Sequence, residues 1–169
     1  MGCRTGRSAQ LSGLRAGWRI VRDDVTHPDV VALLELHLRA AFENSPPGAV
    51  FALDLSGLRA ADVTLWTVWE GELLLGMGAL KQLDPGHGEL KSMRTAPGQV
   101  RRGVARAMLG HLIAEAKARG YRRVSLETGS NAPFAAARGL YGAAGFVECG
   151  PFAGYVDTAF SRYYRLDLP

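Results

Sequence analysis

Cysteine is almost missing from this 169-residue chain: Cys3 and Cys149 are the entire supply. Two thiols near opposite ends form neither a disulfide framework nor a metal set with ligand spacing. Stability must therefore come from an apolar core, no metal is expected, and a reducing cytoplasm is the expected compartment. Long hydrophobic runs are missing too. The apolar stretch from Glu72 to Leu80 contains Glu and Gly and falls well short of the ~20 residues a helical span requires, so no membrane partner is expected. No signal-peptide core follows the first residues, and Gly6 stands where a myristoylation pattern beginning Met1-Gly2-Cys3 calls for Ser or Thr. The signatures of two common nucleotide folds are absent as well. There is no Gly-Lys-Ser/Thr, and the run from Gly103 to Met108 lacks the third glycine of the dinucleotide pattern.

What is present describes one globular domain. Apolar residues make up 47% of the chain and charged residues 21%, enough to bury a core without staples. The net charge of +4 comes almost wholly from arginine and suits an anionic ligand. Arg4, Arg7 and Arg15 lie in a Gly/Ser-rich stretch without hydrophobic periodicity, so residues 1–15 read as a disordered tail and 16–169 as the domain. Arg101, Arg102 and Arg106 form a second cluster. They gather at one point rather than interleaving with aromatics, which argues against nucleic acid as a partner.

The pattern along the chain predicts a strand over Trp18 to Val21, then a helix opened by Pro28 and bounded by Asn44, with Asp24 and Thr26 as N-cap candidates. Ser45-Pro46-Pro47-Gly48 breaks it, and Val50 to Leu58 reads as a shorter second helix. Strands follow at Val63 to Trp69, Leu73 to Lys81 and Glu89 to Thr95, an antiparallel meander turned at Glu70-Gly71-Glu72 and around Pro85. Apolar residues at three-to-four spacing from Val104 to Ala116 predict a helix over about Arg102 to Arg119, with Gly120 as its left-handed C-cap. Tyr121 to Glu127 reads as a strand, Pro133 to Tyr141 as a helix, and Phe146 to Cys149 and Phe160 to Leu166 as the last strands. These elements make a single α/β layer structure on a partly parallel sheet.

One local feature points to chemistry. Val100-Arg101-Arg102-Gly103-Val104-Ala105 joins a strand to the opening of a helix, whose first N–H groups lack internal partners and carry the positive end of its dipole. Gly103 and Ala105 leave room for an anion to approach the main chain. Each such contact contributes only about 0.3 to 1 kcal/mol, so the expected ligand is multiply charged, as a pyrophosphate is.

The strand ending at Thr95, the Arg-Arg-Gly-Val-Ala helix opening and, about 35 residues on, Leu140-Tyr141-Gly142-Ala143-Ala144-Gly145-Phe146 together resemble the GNAT superfamily of N-acetyltransferases, and small bacterial-type members in particular. The resemblance spans about Gly17 to Leu168. It implies a mixed, mostly antiparallel sheet with two splayed parallel strands, flanked by about four helices. It also implies acetyl-CoA as acetyl donor, its pantetheine arm gripped by the main chain at Met93, Arg94 and Thr95 and its pyrophosphate by Arg101, Arg102, Gly103, Val104, Ala105 and Arg106. Two positions depart from the family pattern. Val100 stands where the phosphate signature begins with Gln or Arg, and Phe134 where many relatives carry Asn, with Asn131 nearby.

The implied reaction is direct acetyl transfer to a primary amine of a small molecule, amino acid or peptide; neither cysteine has a base beside it to serve as nucleophile. Tyr141 is the expected acid for the departing thiolate, against the plainer reading of a core tyrosine stacked on Phe146. Glu89, placed by alternation on one face with Lys91, Met93 and Thr95, is a candidate base, against the reading of a solvated strand end. Glu127 is a second candidate or an anchor for a cationic substrate, and a bridging water could take the place of either. His87 and His111 read as structural. Of Trp66 and Trp69, on opposite strand faces, one is expected in the core and the other along the acceptor cleft. The alternative to an enzyme is a coenzyme A-binding sensor that transfers nothing. A homodimer is left open.

Overall fold

The computed structural model describes residues 14–169. All but the last two residues of the expected N-terminal tail lie outside them; Leu14 packs against the core and Arg15 stands 5.7 Å over the Trp18 ring. Seven strands form one sheet: β1 (Trp18–Asp23), β2 (Val63–Glu70), β3 (Leu73–Asp84), β4 (His87–Thr95), β5 (Arg123–Gly129), β6 (Val147–Cys149) and β7 (Ser161–Asp167). Their order is β1-β2-β3-β4-β5-β7-β6, and every pair is antiparallel except β4 with β5. The helices are α1 (Pro28–Asn44), α2 (Leu55–Leu58), α3 (Val104–Ala118) and α4 (Ala135–Ala143), the last preceded by a 3-10 turn at Ala132–Phe134. This is the single-domain α/β architecture that the pattern predicts.

Two apolar clusters cover the two faces of the sheet. One packs α3 and Tyr141 of α4 against Trp66, Val68, Leu80 and Leu126. The other packs α1 and Leu58 of α2 against Leu65, Trp69, Met77 and Ala79. Close approach of α3 depends on glycine in β3, because a Cβ on Gly78 would lie 2.7 Å from Met108 Cγ and one on Gly76 2.8 Å from Val104 Cγ1. Gly120 ends α3 as expected, with φ +78° and a Schellman pair of bonds, Tyr121 N–H to Ala116 O and Gly120 N–H to Lys117 O, both 3.0 Å.

The other helix boundaries differ from the sequence pattern for local reasons. Asp24 takes the N–H and hydroxyl of Thr26 and closes its own turn, so His27 caps α1, its Nδ1 accepting from the Asp29 amide at 3.2 Å. Helix α2 is a single turn. Asp54 Oδ1 accepts the Gly57 N–H at 2.8 Å and starts the helix there, leaving residues 49–54 irregular. Both tryptophans are buried, Trp66 under α3 and Trp69 under α1, so neither lines a cleft and the expectation for the second one fails. The α1 face needed a large apolar side chain as much as the α3 face did.

Candidate active site

The parallel pair β4 and β5 stays in register only for His87 with Arg123, Gly88 with Val124 and Glu89 with Ser125. Beyond Glu89 the strands part. The main chain of β4 from Leu90 to Thr95 keeps its ladder to β3 on one side and loses its partner on the other, as does β5 from Leu126 to Gly129. A bulge assists the opening: Ser92 takes φ +54°, and the β3 register jumps between Met77–Arg94 and Ala79–Lys91. That bulge also overturns strict alternation. Glu89 and Lys91 share the α1 face, but Met93 is turned into the α3 cluster.

The opening continues as a groove of about 1060 Å³. Met93, Arg94 and Thr95 form one wall, the 3-10 turn and α4 (Pro133, Ala136, Ala137, Leu140) the other, and the loop into α3 its floor. In that loop Gly98, Arg101 and Gly103 all have positive φ (+76°, +62° and +90°). Gly103 caps α3 without a side-chain bond, and the first ladder bond of the helix is Ala107 N–H to Gly103 O. The amides ahead of Ala107 therefore have no helical partner, and their residues, Gly103 to Arg106, line the groove. Arg101 and Arg106 line it as well.

Arg102 does not. Its guanidinium is turned away, bonding Glu70 Oε2 at 2.7 Å and Gln99 Oε1 and lying 5.6 Å over the Trp18 ring. The expected reach of this side chain toward a ligand is thus corrected, because an acid at the end of β2 holds it. Val100 is 62% exposed and offers no polar contact. Asn131 donates to Asn44 O at 2.8 Å, tying the end of α1 to the loop after β5.

At its inner end the groove meets a cavity of about 140 Å³, and Met93, Ala137 and Tyr141 line both. Tyr141 is buried and packs edge-on to Phe146 with ring centroids 5.8 Å apart; burial pushes its phenol up to about 12. Glu127 lines the cavity, accepts the Ser161 hydroxyl at 2.8 Å, and has its carboxyl held above the ordinary range by burial. Glu89 does not line it. It is 3% exposed and accepts from Lys91 Nζ at 3.2 Å and from the Tyr155 hydroxyl, so it is no solvated strand end. Among the described residues, no group of three or more His, Cys, Asp or Glu is arranged to hold a metal.

The family model for the acetyltransferase (GNAT) family matches residues 30–146, from the first core residue of α1 to the end of α4 and the turn beyond it. The chain belongs to this family. It is 51% identical over 149 residues to the uncharacterized N-acetyltransferase YedL of Escherichia coli (strain K12), covering 88% of this chain and 94% of the relative. It is 52% identical over 146 residues to the uncharacterized N-acetyltransferase YsnE of Bacillus subtilis (strain 168), covering 86% and 97%. A GNAT acetyltransferase from Elizabethkingia anophelis, solved with acetyl-CoA bound, shares the fold at a TM-score of 0.68 and 16% identity, covering 91% of this chain and all of that one.

In this acetyltransferase the residues expected along the groove come together at Met93 to Thr95, Arg101 and Gly103 to Arg106, while Arg102 is turned to Glu70. Tyr141 lies where groove and cavity join. Sequence reasoning missed three residues. His37 of α1 lines the cavity and is kept neutral, its imidazole lowered to about 4 by burial and by the charges of Arg94 and Lys91. Ser92 lines it too, with a buried Oγ that has no partner. Tyr155 lies 66 residues from the Glu89 that it bonds. His37 and Tyr155 belong to segments without a motif, and Ser92 lies inside the β4 segment at the one position where the bulge breaks alternation. The one available signal for His37 was its place on the apolar flank of α1, a single turn from the buried Leu33 and Leu34. His87 bonds Ser125 Oγ at 2.7 Å, and both ring nitrogens of His111 are buried without a partner, its ring edge-on to Trp66.

Proposed function

We propose that this acetyltransferase carries acetyl directly from acetyl-CoA to a primary amine, without a covalent enzyme intermediate. The observation that carries this reading is the meeting of groove and cavity at Met93, Ala137 and Tyr141. The groove runs along the edge of β4 that has lost its β5 partner, which suits a pantetheine arm along Met93 to Thr95. The amides from Gly103 to Arg106, with the side chains of Arg101 and Arg106, suit a pyrophosphate. An acceptor in the cavity would then face the thioester at Tyr141.

In this scheme Glu127 accepts the proton of the incoming ammonium. It lines the cavity, no cation among the described residues hydrogen-bonds its carboxylate, and its raised carboxyl is closer to a working base than an ordinary glutamate. Glu89, the other candidate, faces Lys91 and Tyr155 beneath the cavity and acts by fixing Lys91 in the wall. The amine attacks the thioester carbon and the carbon–sulfur bond breaks; the Tyr141 hydroxyl gives its proton to the departing sulfur and regains one from the attacking nitrogen, so that amide and free thiol leave together. The burial that raises the Tyr141 phenol raises the thiol of coenzyme A in the same place, so the proton passes between groups that both resist ionisation.

Free thiol release from acetyl-CoA with a panel of amines tests the assignment. Tyr141→Phe should lower kcat by about 10² to 10⁴ while leaving the Kd for acetyl-CoA within a few-fold. Unchanged kcat in this variant removes the role of Tyr141, and acetyl-CoA binding without turnover on any amine replaces the enzyme by a sensor.

A further inference from the structure

The cavity beyond Tyr141 carries a pattern of satisfied and unsatisfied groups that specifies what it admits. At about 140 Å³ it lies below the ~300–1,000 Å³ of clefts that bury drug-sized ligands. The irregular segment at Ala49 to Phe51 and the rings of Phe134 and Phe160 close its sides. Phe134 cannot give way easily, since Gly129 exists in contact with it: a Cβ there would stand 2.4 Å from Phe134 Cδ2.

Beside the hydroxyls of Ser45, Thr128 and Tyr141, the walls present a carboxylate, an imidazole and a buried hydroxyl to a guest. Among the described residues Glu127 bonds only Ser161 and has a carboxylate oxygen to spare. His37 lines the wall as a neutral imidazole. Ser92 is 7% exposed, and its Oγ is buried without a partner, an arrangement that natural folds avoid unless something else supplies the bond. The one cation lining the cavity is not free. Lys91 gives its three N–H bonds to Phe51 O at 2.9 Å, to the Tyr155 hydroxyl at 2.9 Å and to Glu89 at 3.2 Å. A guest carboxylate would find no unengaged cation among the residues that line the cavity; Arg94, whose charge reaches His37, stands in the wall of the adjoining groove.

We infer that the acceptor is a compact primary amine whose other polar group is an uncharged hydroxyl or amide: its ammonium is held by Glu127 and its neutral group by Ser92 and His37. This rests on the transferase reading above and narrows it, setting aside peptides by size and free amino acids by the lack of a cation for their carboxylate. Ser92 becomes a specificity residue, and the bulge that opens β4 is what turns its hydroxyl into the cavity.

The test compares kcat/KM for 3-aminopropan-1-ol, its isostere butylamine, β-alanine and a tetrapeptide with a free N-terminus, with acetyl-CoA binding measured by calorimetry on the same protein. The amino alcohol should exceed butylamine by about tenfold, the worth of one good hydrogen bond, and exceed β-alanine and the peptide by at least as much. Ser92→Gly, which the positive φ at this position tolerates, should bring the ratio of amino alcohol to butylamine close to one. Equal rates for the amino alcohol and butylamine overturn the inference, as does a preference for the peptide or for β-alanine, or an unaltered ratio in Ser92→Gly; in each case the transferase reading stands. Absence of thiol release with every amine, with acetyl-CoA still bound, overturns that reading and this inference with it.

Discussion

Lys91→Met is the most demanding test of the electrostatics beneath the cavity. The side chains of Lys91 and Glu89 are only 10% and 4% exposed, and the lysine serves three acceptors while the glutamate keeps just one other donor, Tyr155. Removing the ammonium strands a carboxylate and the Phe51 carbonyl away from water. Breaking a buried pair from one side costs about 3–5 kcal/mol, whereas replacing both partners by apolar residues of similar size is close to neutral. Lys91→Met should therefore lose ~3–5 kcal/mol, and Glu89→Met with Lys91→Met much less than the sum of the two single changes, a coupling of at least ~2 kcal/mol. For a chain of this length the single change should lower Tm by roughly 6–20 °C. Urea unfolding followed by fluorescence, with the slope m checked for constancy, measures all three variants. A loss below about 1 kcal/mol, typical of exposed pairs, refutes the claim that the pair is sealed from solvent.

Two other changes test the site from different sides. Glu127→Gln should lower kcat/KM by about 10² to 10⁴, yet make the fold more stable at neutral pH. Because burial raises the folded carboxyl above its ordinary 4.5, the parent loses stability as pH rises from that value through the folded pKa, and glutamine does not. The stability gain should vanish below about pH 4, and a gain that persists in acid contradicts this account. Gly76→Ala would set a Cβ 2.8 Å from the Arg94 carbonyl oxygen, so it should cost about 1–3 kcal/mol and weaken acetyl-CoA binding by displacing the β4 wall; an alanine variant with unchanged stability and affinity excludes that contact.

How much of this was legible in the sequence follows from the range of the interactions. The α3 pattern, its glycine stop and the amides before Ala107 are local, set by residues within a few positions, and they read correctly. Helix α1 was legible in extent, but not in its cap, because Asp24 had a nearer partner in Thr26 than the helix amides. Alternation placed Glu89 with Lys91 and then failed, since a bulge at Ser92 leaves no composition signal and moves every later side chain to the other face. The direction of Arg102 is set by Glu70, 32 residues earlier, and the burial of Glu89 by Lys91 and Tyr155, the latter from a loop with no periodicity. Side chains that meet across such distances carry no spacing rule.

The clamp on Arg102 has a consequence for how a ligand is received. The strand end at Glu70, the indole of Trp18 and the amide of Gln99 hold this guanidinium from behind, and so fix a left-handed backbone that an unrestrained arginine-rich loop would visit only in passing. A receptor whose amides already converge gives up little freedom when an anion docks, and more of the contact energy survives as affinity. An arginine facing away from the guest thus keeps the cradle ready for it.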